Sequence, residues 1–431
     1  ELENVKKCAI MKIEKIRLTL LLQLNGRLEN YMNSEILIDD IYEFRNRYRE
    51  DGQNIETEKK IKDHGIMKAS IDEGKKSGLK FEFNVEVPDV KIYNQLSSHQ
   101  CNIYAFLRVV KDILRKNTTL DVDKLDLSSN YINFYDKLEK ANVLLNDLLS
   151  ADDLSLEKIN GKVNRYIGSF GTFKFCKEIV NKYGLVPTEF MGELNSSFDD
   201  TLAIELLKDK IKSDAASLID IESTEERLKK KRELLYEVYR FLSKIYGNPP
   251  TNFEFRGNLI TPLQFKDHYL KDSLDDYVTV TSFTKHTLFK SYAFIPNIYL
   301  NDNENIIELP DTQIKEAIVR QLKDGVSVWF SCEESTTLDY DENILDDKLY
   351  DFAGLLNIQN TYKEQKLLLD MINYDHAMCI TGALTRGREV LQFKVDNSFG
   401  KHGRYKGQLI MTETFFDNCV IAVIINKKYI N

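Results

Sequence analysis

The rhythm of hydrophobic and polar positions changes partway along the chain. Residues 1 to about 75 read as polar helices, with Ile36-Leu37-Ile38 and Ile41-Tyr42-Glu43-Phe44 setting apolar positions among many charges. Glu73-Gly74-Lys75-Lys76-Ser77-Gly78 has the composition of a loop. From Phe81 to Val87 apolar and acidic residues alternate as in a strand that Pro88 ends, and Cys101 to Arg115 then runs as an apolar helix fed by the loop Asn94 to Gln100. Further helices are expected around Ser128 to Leu149, Phe173 to Tyr183 and Thr201 to Tyr246. The last is so rich in Lys, Glu and Leu that it reads as a surface-exposed insertion, closed by Gly247-Asn248-Pro249-Pro250. Beyond it come the β-rich runs Val278 to Thr281, Val326 to Phe330, Ala377 to Thr381, Val390 to Val395 and Val420 to Ile425.

A helical half followed by a β half is an α+β pattern, with no fixed-period repeat competing with it. The expected division is 1–78 as an N-terminal helical segment, 79–195 as the helical half, 196–260 as a helical insertion and 261–431 as the β-rich half. At 431 residues, 42% hydrophobic and 29% charged, the chain has the make-up of a folded, soluble protein. Its net charge of −9 argues against a partner bound through a phosphate backbone, so no nucleic acid is expected. Cys8, Cys101, Cys176, Cys332, Cys379 and Cys419 lack metal-ligand or disulfide-framework spacing. They read as free thiols of a reducing, cytoplasmic compartment, with no metal or cofactor implied. The basic start before the apolar run Leu18 to Leu24 has the outline of a signal peptide. Thr19 and Gln23 interrupt that run, however, and it is too short to span a bilayer, so an amphipathic helix is the better reading and no membrane partner is expected.

The candidate chemistry starts at Cys101, in the first turn of its helix, where the partial positive charge of the helix end favours thiolate over thiol. Gln95, just upstream, could donate its amide to a developing oxyanion alongside the Cys101 N–H. Taken alone, a cysteine at a helix start is more often a buried, inert residue. Far along the chain, Tyr374-Asp375-His376-Ala377-Met378 opens one strand and Val395-Asp396-Asn397-Ser398-Phe399-Gly400 closes another. A His and an Asn on neighbouring strands can hydrogen-bond side by side, the Asn orienting an imidazole whose other nitrogen faces a thiol. The constellation makes the case, since a lone His at a strand start is usually structural. His99 lies too close to Cys101 in the chain to reach back to it, and His64, His268, His286 and His402 show no metal-ligand spacing.

Gln95-Leu96-Ser97-Ser98-His99-Gln100-Cys101-Asn102-Ile103-Tyr104-Ala105-Phe106 resembles the Q-x-S-S-G-R-C-W-x-F-A motif of the bleomycin hydrolase/aminopeptidase C family. His376-Ala377-Met378 and Asn397-Ser398-Phe399-Gly400 resemble its H-A-M and N-S-W-G, and Lys182 to Pro187, Gln321 to Phe330 and Lys406 to Phe416 have counterparts in order. The resemblance covers the chain from about residue 80. It implies a papain-like cysteine peptidase core with helical insertions, a homohexamer enclosing its active sites, and removal of N-terminal residues from peptide substrates. Cys101 is then the nucleophile, His376 its base, Asn397 the orienting residue and Gln95 the oxyanion donor. Gly171, Phe170, Asp375 and Phe399 are expected to line the substrate cleft, with Phe399 shielding the His376–Asn397 bond.

Several positions depart from the family pattern. His99-Gln100 stands for Gly-Arg, which a left-handed turn at His99 would tolerate. Asn102 stands for Trp, a loss costing about 3 kcal/mol unless neighbours refill the space. Ser169-Phe170-Gly171-Thr172-Phe173 stands where D-G-G-Q-W is expected, so Phe170 could fill part of the groove. The sequence runs out at Lys427 to Asn431, where the family continues into an arm that meets the substrate's amine. Endopeptidase or acyl-transfer chemistry therefore stays open beside aminopeptidase chemistry, and so does a non-catalytic peptide-binding homologue.

Overall fold

The computed structural model describes residues 35–72, 74, 78–151, 154–192, 200–270, 274–284, 306–334, 336–359, 361, 363–372 and 375–430. The basic, apolar start of the chain, Cys8, His286, Tyr374 and most of the 73–78 loop lie outside them. The described residues form two compact units, a small one of 35–71 with Phe352–Ile358 and a large one drawn from 72–351 and 359–430. In the small unit, helix α1 (Ile38–Glu50) is followed by α2 (Gly52–Ser70), whose N-terminus is capped by the Asp51 carboxylate accepting from the Gln53 N–H. A short helix, Phe352–Leu356, belongs with them.

The large unit begins with β1 (Val85–Glu86), a much shorter strand than the alternation from Phe81 predicts. On either side of it the Asn84 and Val87 N–H groups donate to the Ala383 and Thr381 carbonyls of the neighbouring strand, while Gln392 Nε2 donates to the Lys80 and Glu82 carbonyls and Phe81 stacks on Tyr405. Then come α3 (Cys101–Asn117), α4 (Ser129–Leu149), α5 (Leu156–Tyr166) and α6 (Phe173–Tyr183). The stretch Thr201 to Tyr246 is two helices, α7 (Asp200–Ala216) and α8 (Thr224–Tyr246), the second started by Ser223, whose hydroxyl accepts from the Glu226 N–H. They are less exposed than their composition suggests. Leu234, Val238, Leu242 and Tyr246, spaced one turn apart, join Leu207 and Ile211 in the same core as α3.

A hairpin, β2 (Phe253–Phe255) and β3 (Asn258–Ile260), leads to α9 (Pro262–Tyr269) and the β half. That half holds β4 (Tyr277–Thr281), β5 (Ile306–Glu308), α10 (Asp311–Lys323), β6 (Val328–Cys332), β7 (Leu338–Asp339) and β8 (Ile344–Leu345). It ends with β9 (His376–Arg386), β10 (Glu389–Asp396), β11 (Gln408–Thr412), α11 (Glu413–Cys419) and β12 (Val420–Asn426). The sheet order is β5-β4-β12-β6-β9-β10-β11-β8-β7, with β1 also paired to β9. Strand alternation divides the side chains between two cores. Val328, Phe330, Met378 and Ile380 pack against Ile314, Ile318 and Leu322 of α10, whereas Trp329, Ala377 and Cys379 face the core around α3.

Helix α3 is buried nearly all round, from Asn102 to Leu114. The buried Arg108 of this helix is matched on three sides: by Asp112 one turn on, by Asp396 at the end of β10 (3.0 Å), and by the Pro88 carbonyl (2.9 Å). A buried guanidinium is tolerable only when so paired. The pairing ties the cysteine-bearing helix to the strand end that carries Asn397. No described helix is long and apolar enough to cross a membrane.

Candidate active site

Cys101 is the first residue of α3, and Gln100 before it makes no side-chain cap, so the amides of the first turn are open to another acceptor. The Cys101 sulfur takes that place. It is partly exposed, accepts from the Asn102 and Ala377 N–H groups, and pairs with the His376 imidazole. Burial pushes the thiol up, but the His376 charge and these hydrogen bonds outweigh it and hold Cys101 below the ordinary thiol range. In Cys176, Cys332, Cys379 and Cys419 burial outweighs whatever cation or donor lies near, and each is pushed up.

His376 opens β9, and its Nε2 lies 2.8 Å from Asn397 Oδ1, just past the end of β10. This leaves Nδ1 for the thiol. Antiparallel pairing of β9 with β10 brings the two residues together. Burial pulls the imidazole down, yet the Cys101 thiolate and the Glu334 carboxylate, with hydrogen bonds to Cys101 and Asn397, raise it to about 9. Both shifts run in the direction that favours a thiolate–imidazolium pair. The Phe399 ring stacks on the imidazole, centroids 4.9 Å apart and planes 6° from parallel.

Gln95 is set beside this pair by two bonds to one residue: its N–H donates to the Ser398 carbonyl, and Ser398 Oγ donates to Gln95 Oε1, both at 2.7 Å. Anchoring the oxygen end of the carboxamide leaves the Nε2 end to serve as donor. The turn to Cys101 needs left-handed backbone, with φ of 49° at Leu96 and 53° at His99. His99 therefore occupies the conformation that a glycine would take there. Its ring lies away from the thiol, with Nε2 2.9 Å from Thr201 Oγ1 at the start of α7.

The cleft residues are placed less uniformly. A Cβ on Gly171 would stand 2.2 Å from Asn102 Nδ2, so this glycine makes room for the Asn102 side chain. Asn102 itself is buried, its Nδ2 directed at Cys176 Sγ (3.7 Å) and its carbonyl accepting from Trp329 Nε1 (3.2 Å). The Asn102 carboxamide thus lies against Gly171 and Cys176, and the Trp329 indole is bonded to the same residue's backbone. Phe170 is half exposed and turned to Lys140, whose Nζ lies 4.4 Å from its ring centroid and donates to its carbonyl. The Asp375 carboxylate accepts from the Glu334 N–H (2.7 Å), so it braces the loop after β6.

Sequence reasoning missed Glu334, Tyr340 and Ser398 as neighbours of the site. Glu334 Oε2 is 3.5 Å from His376 Nε2, and Tyr340 donates to Glu334 Oε1 at 2.8 Å. An acidic pair, Glu333-Glu334, directly after an apolar strand was the available signal, but only the pairing of Cys332 with His376 shows what that pair faces. Among the described residues no cluster of His, Cys, Asp or Glu could hold a metal ion.

Comparison with known proteins points the same way. The chain is 29% identical to aminopeptidase E of Lactobacillus helveticus, over 93% of this chain and 95% of that one. It is 28% identical to aminopeptidase C of Listeria innocua serovar 6a, over 93% and 94%. The crystal structure of PepW from Lactobacillus rhamnosis HN001 superposes with a TM-score of 0.83 at 28% identity, covering 93% of this chain and 94% of that one. The fold is papain-like, α+β. With a family model matching residues 35–431, the chain belongs to the Peptidase C1-like family.

Proposed function

We propose that the chain is a cysteine aminopeptidase, and the observation that carries this reading is the bonded series Cys101, His376 and Asn397 at the N-terminus of α3. The Cys101 thiolate attacks the carbonyl carbon of a peptide bond. The resulting oxyanion is held by the Cys101 N–H and Gln95 Nε2. His376 gives its Nδ1 proton to the leaving nitrogen, the C–N bond breaks, and a thioester remains on Cys101. Water then gives a proton to His376 Nδ1 and adds its oxygen to the acyl carbon; the C–S bond breaks, which frees the acid and restores the Cys101 thiolate beside the imidazolium. Asn397 and the Phe399 ring keep the imidazole in one orientation throughout. The relatives named aminopeptidases support restriction to free amino ends.

The test is kcat/KM for one short peptide with its amino terminus free and acetylated, with Cys101→Ala as blank. The free form should be cut at least about tenfold better, roughly 1.4 kcal/mol in the transition state. Equal rates would favour an endopeptidase, and hydrolysis by the blank as fast as by the enzyme would remove the peptidase reading.

The reading extends to assembly and compartment. A homo-oligomer, a hexamer in the family resembled, is supported by α1, which has no buried residue although Ile38, Ile41, Tyr42 and Phe44 lie on it exposed. A reducing, cytoplasmic compartment is supported by the free thiols of Cys101, Cys176, Cys332, Cys379 and Cys419.

A further inference from the structure

His376 Nε2 has two polar neighbours, the hydrogen-bonded Asn397 Oδ1 at 2.8 Å and the Glu334 carboxylate at 3.5 Å, and the family motif accounts for the first of them. Strand β6 runs antiparallel to β9 with Cys332 opposite His376, so the chain leaving β6 passes the imidazole. That passage is fixed at several points. The Glu333 N–H donates to the Cys419 carbonyl (3.2 Å), the Glu334 N–H to Asp375 Oδ1 (2.7 Å), and the Thr337 N–H and hydroxyl to the Glu334 carbonyl (2.9 and 3.0 Å). The Glu334 side chain is then 6% exposed, with Oε1 held by the Tyr340 hydroxyl and Oε2 turned to His376. Burying a carboxylate is unfavourable unless a cation and a donor satisfy it, and here the imidazolium and the phenol do so.

We infer that Glu334 is a positioning residue for His376: its buried carboxylate stands 3.5 Å from Nε2 as an anionic neighbour beside the hydrogen-bonded Asn397, so the imidazolium lies between a neutral and a charged partner. This rests on reading Cys101 and His376 as the working pair. The groups facing the ring can be named from each element packed against it. The Cys101 thiolate comes from α3, Glu334 and the inert Cys332 thiol from β6 and the turn after it, Asp375 from the residue before β9, and Asn397 with Phe399 from the end of β10. Glu333 faces Asp375 and Lys366 instead. The two charges nearest the ring are both negative, so both favour its protonated form.

Two consequences follow from a charged partner at this nitrogen. The first concerns pH. Glu334 favours imidazolium, so it extends the ion pair to higher pH, and its removal must bring the alkaline loss of the pair to lower pH. On the acid side, burial raises the Glu334 carboxyl above its usual range despite His376 and Tyr340, and below that point its support is lost. The second concerns Asn397. With a carboxylate 3.5 Å from the nitrogen that Asn397 bonds, the two residues share the orienting task and should act non-additively.

The measurement is the pH dependence of Cys101 alkylation by iodoacetate, an anion drawn to the site by the imidazolium, which needs no turnover. Its rate rises as the thiolate forms and falls as His376 loses its proton. The kcat/KM profile of the peptide is recorded alongside. Glu334→Gln, nearly the same size, should lower the alkaline limb of both profiles by about one pH unit. Tyr340→Phe, which loosens the carboxylate, should lower it by less. An unmoved alkylation limb in a folded Glu334→Gln protein overturns the inference even if kcat falls, because a purely structural part would not set that limb. Should Glu334→Gln not fold, Tyr340→Phe decides by the same criterion. A limb that moves in a protein that cleaves no peptide upholds the inference while removing the peptidase reading.

Discussion

At the scale of single residues, what separates Cys101 from the other described cysteines is its surroundings. All of them feel burial, which raises a thiol, and Cys101 alone has an imidazolium and two backbone donors that outweigh it. The sign of the pH response follows. Below the lowered range of Cys101 the sulfur carries its proton, and above about pH 9 His376 has lost its own, so the reactive pair lies between. Limiting iodoacetamide at mildly acidic pH, followed by peptide mapping, should label Cys101 first, and kcat/KM should decline as pH passes about 9. Uniform labelling would instead support a scaffold without activity. His99 is a milder case, a non-glycine residue in a left-handed turn that Thr201 helps to hold.

Between elements, the turn before α6 and the first turn of α3 fit each other through Asn102 and Gly171. The Trp-to-Asn departure looked like a cavity in the making. Instead the carboxamide reaches the glycine, and Trp329 from β6 lies over the same turn with its N–H satisfied. The glycine is thus required by its neighbour. Gly171→Ala should lower stability by about 1 to 3 kcal/mol, since Asn102 is buried with little room to move. Adding Asn102→Ala should return much of that loss. Thermal or denaturant unfolding of both single variants and the double variant measures the coupling, and simple additivity would mean that the close approach is relieved elsewhere.

For the whole molecule, the apolar residues that α1 leaves exposed bear on assembly. A chain that hides them against copies of itself should run as a closed oligomer in light scattering at micromolar concentration, and a monomer would remove the enclosed chamber from the proposal. Charge on α1 alternates with the apolar positions, as in the pair Arg47 and Glu43, and this keeps the surface soluble without covering it.

The sequence by itself determined the α+β order, the helix that Cys101 opens, the strands that carry His376 and Asn397, and the reaction those residue types can perform. Those features are local: a period of apolar residues, a helix end, a motif of adjacent positions. Gln95 was legible for the same reason, although the Ser398 bonds that aim it were not. Only the tertiary structure decided that Thr201 to Tyr246 packs inward, that Phe170 turns to Lys140, that Gly171 serves Asn102 and that Glu334 reaches His376. Each of these depends on which strands pair and which helix faces meet across long stretches of chain. A sequence pattern records what a face is made of, and the partner it will meet is set by long-range pairing and packing.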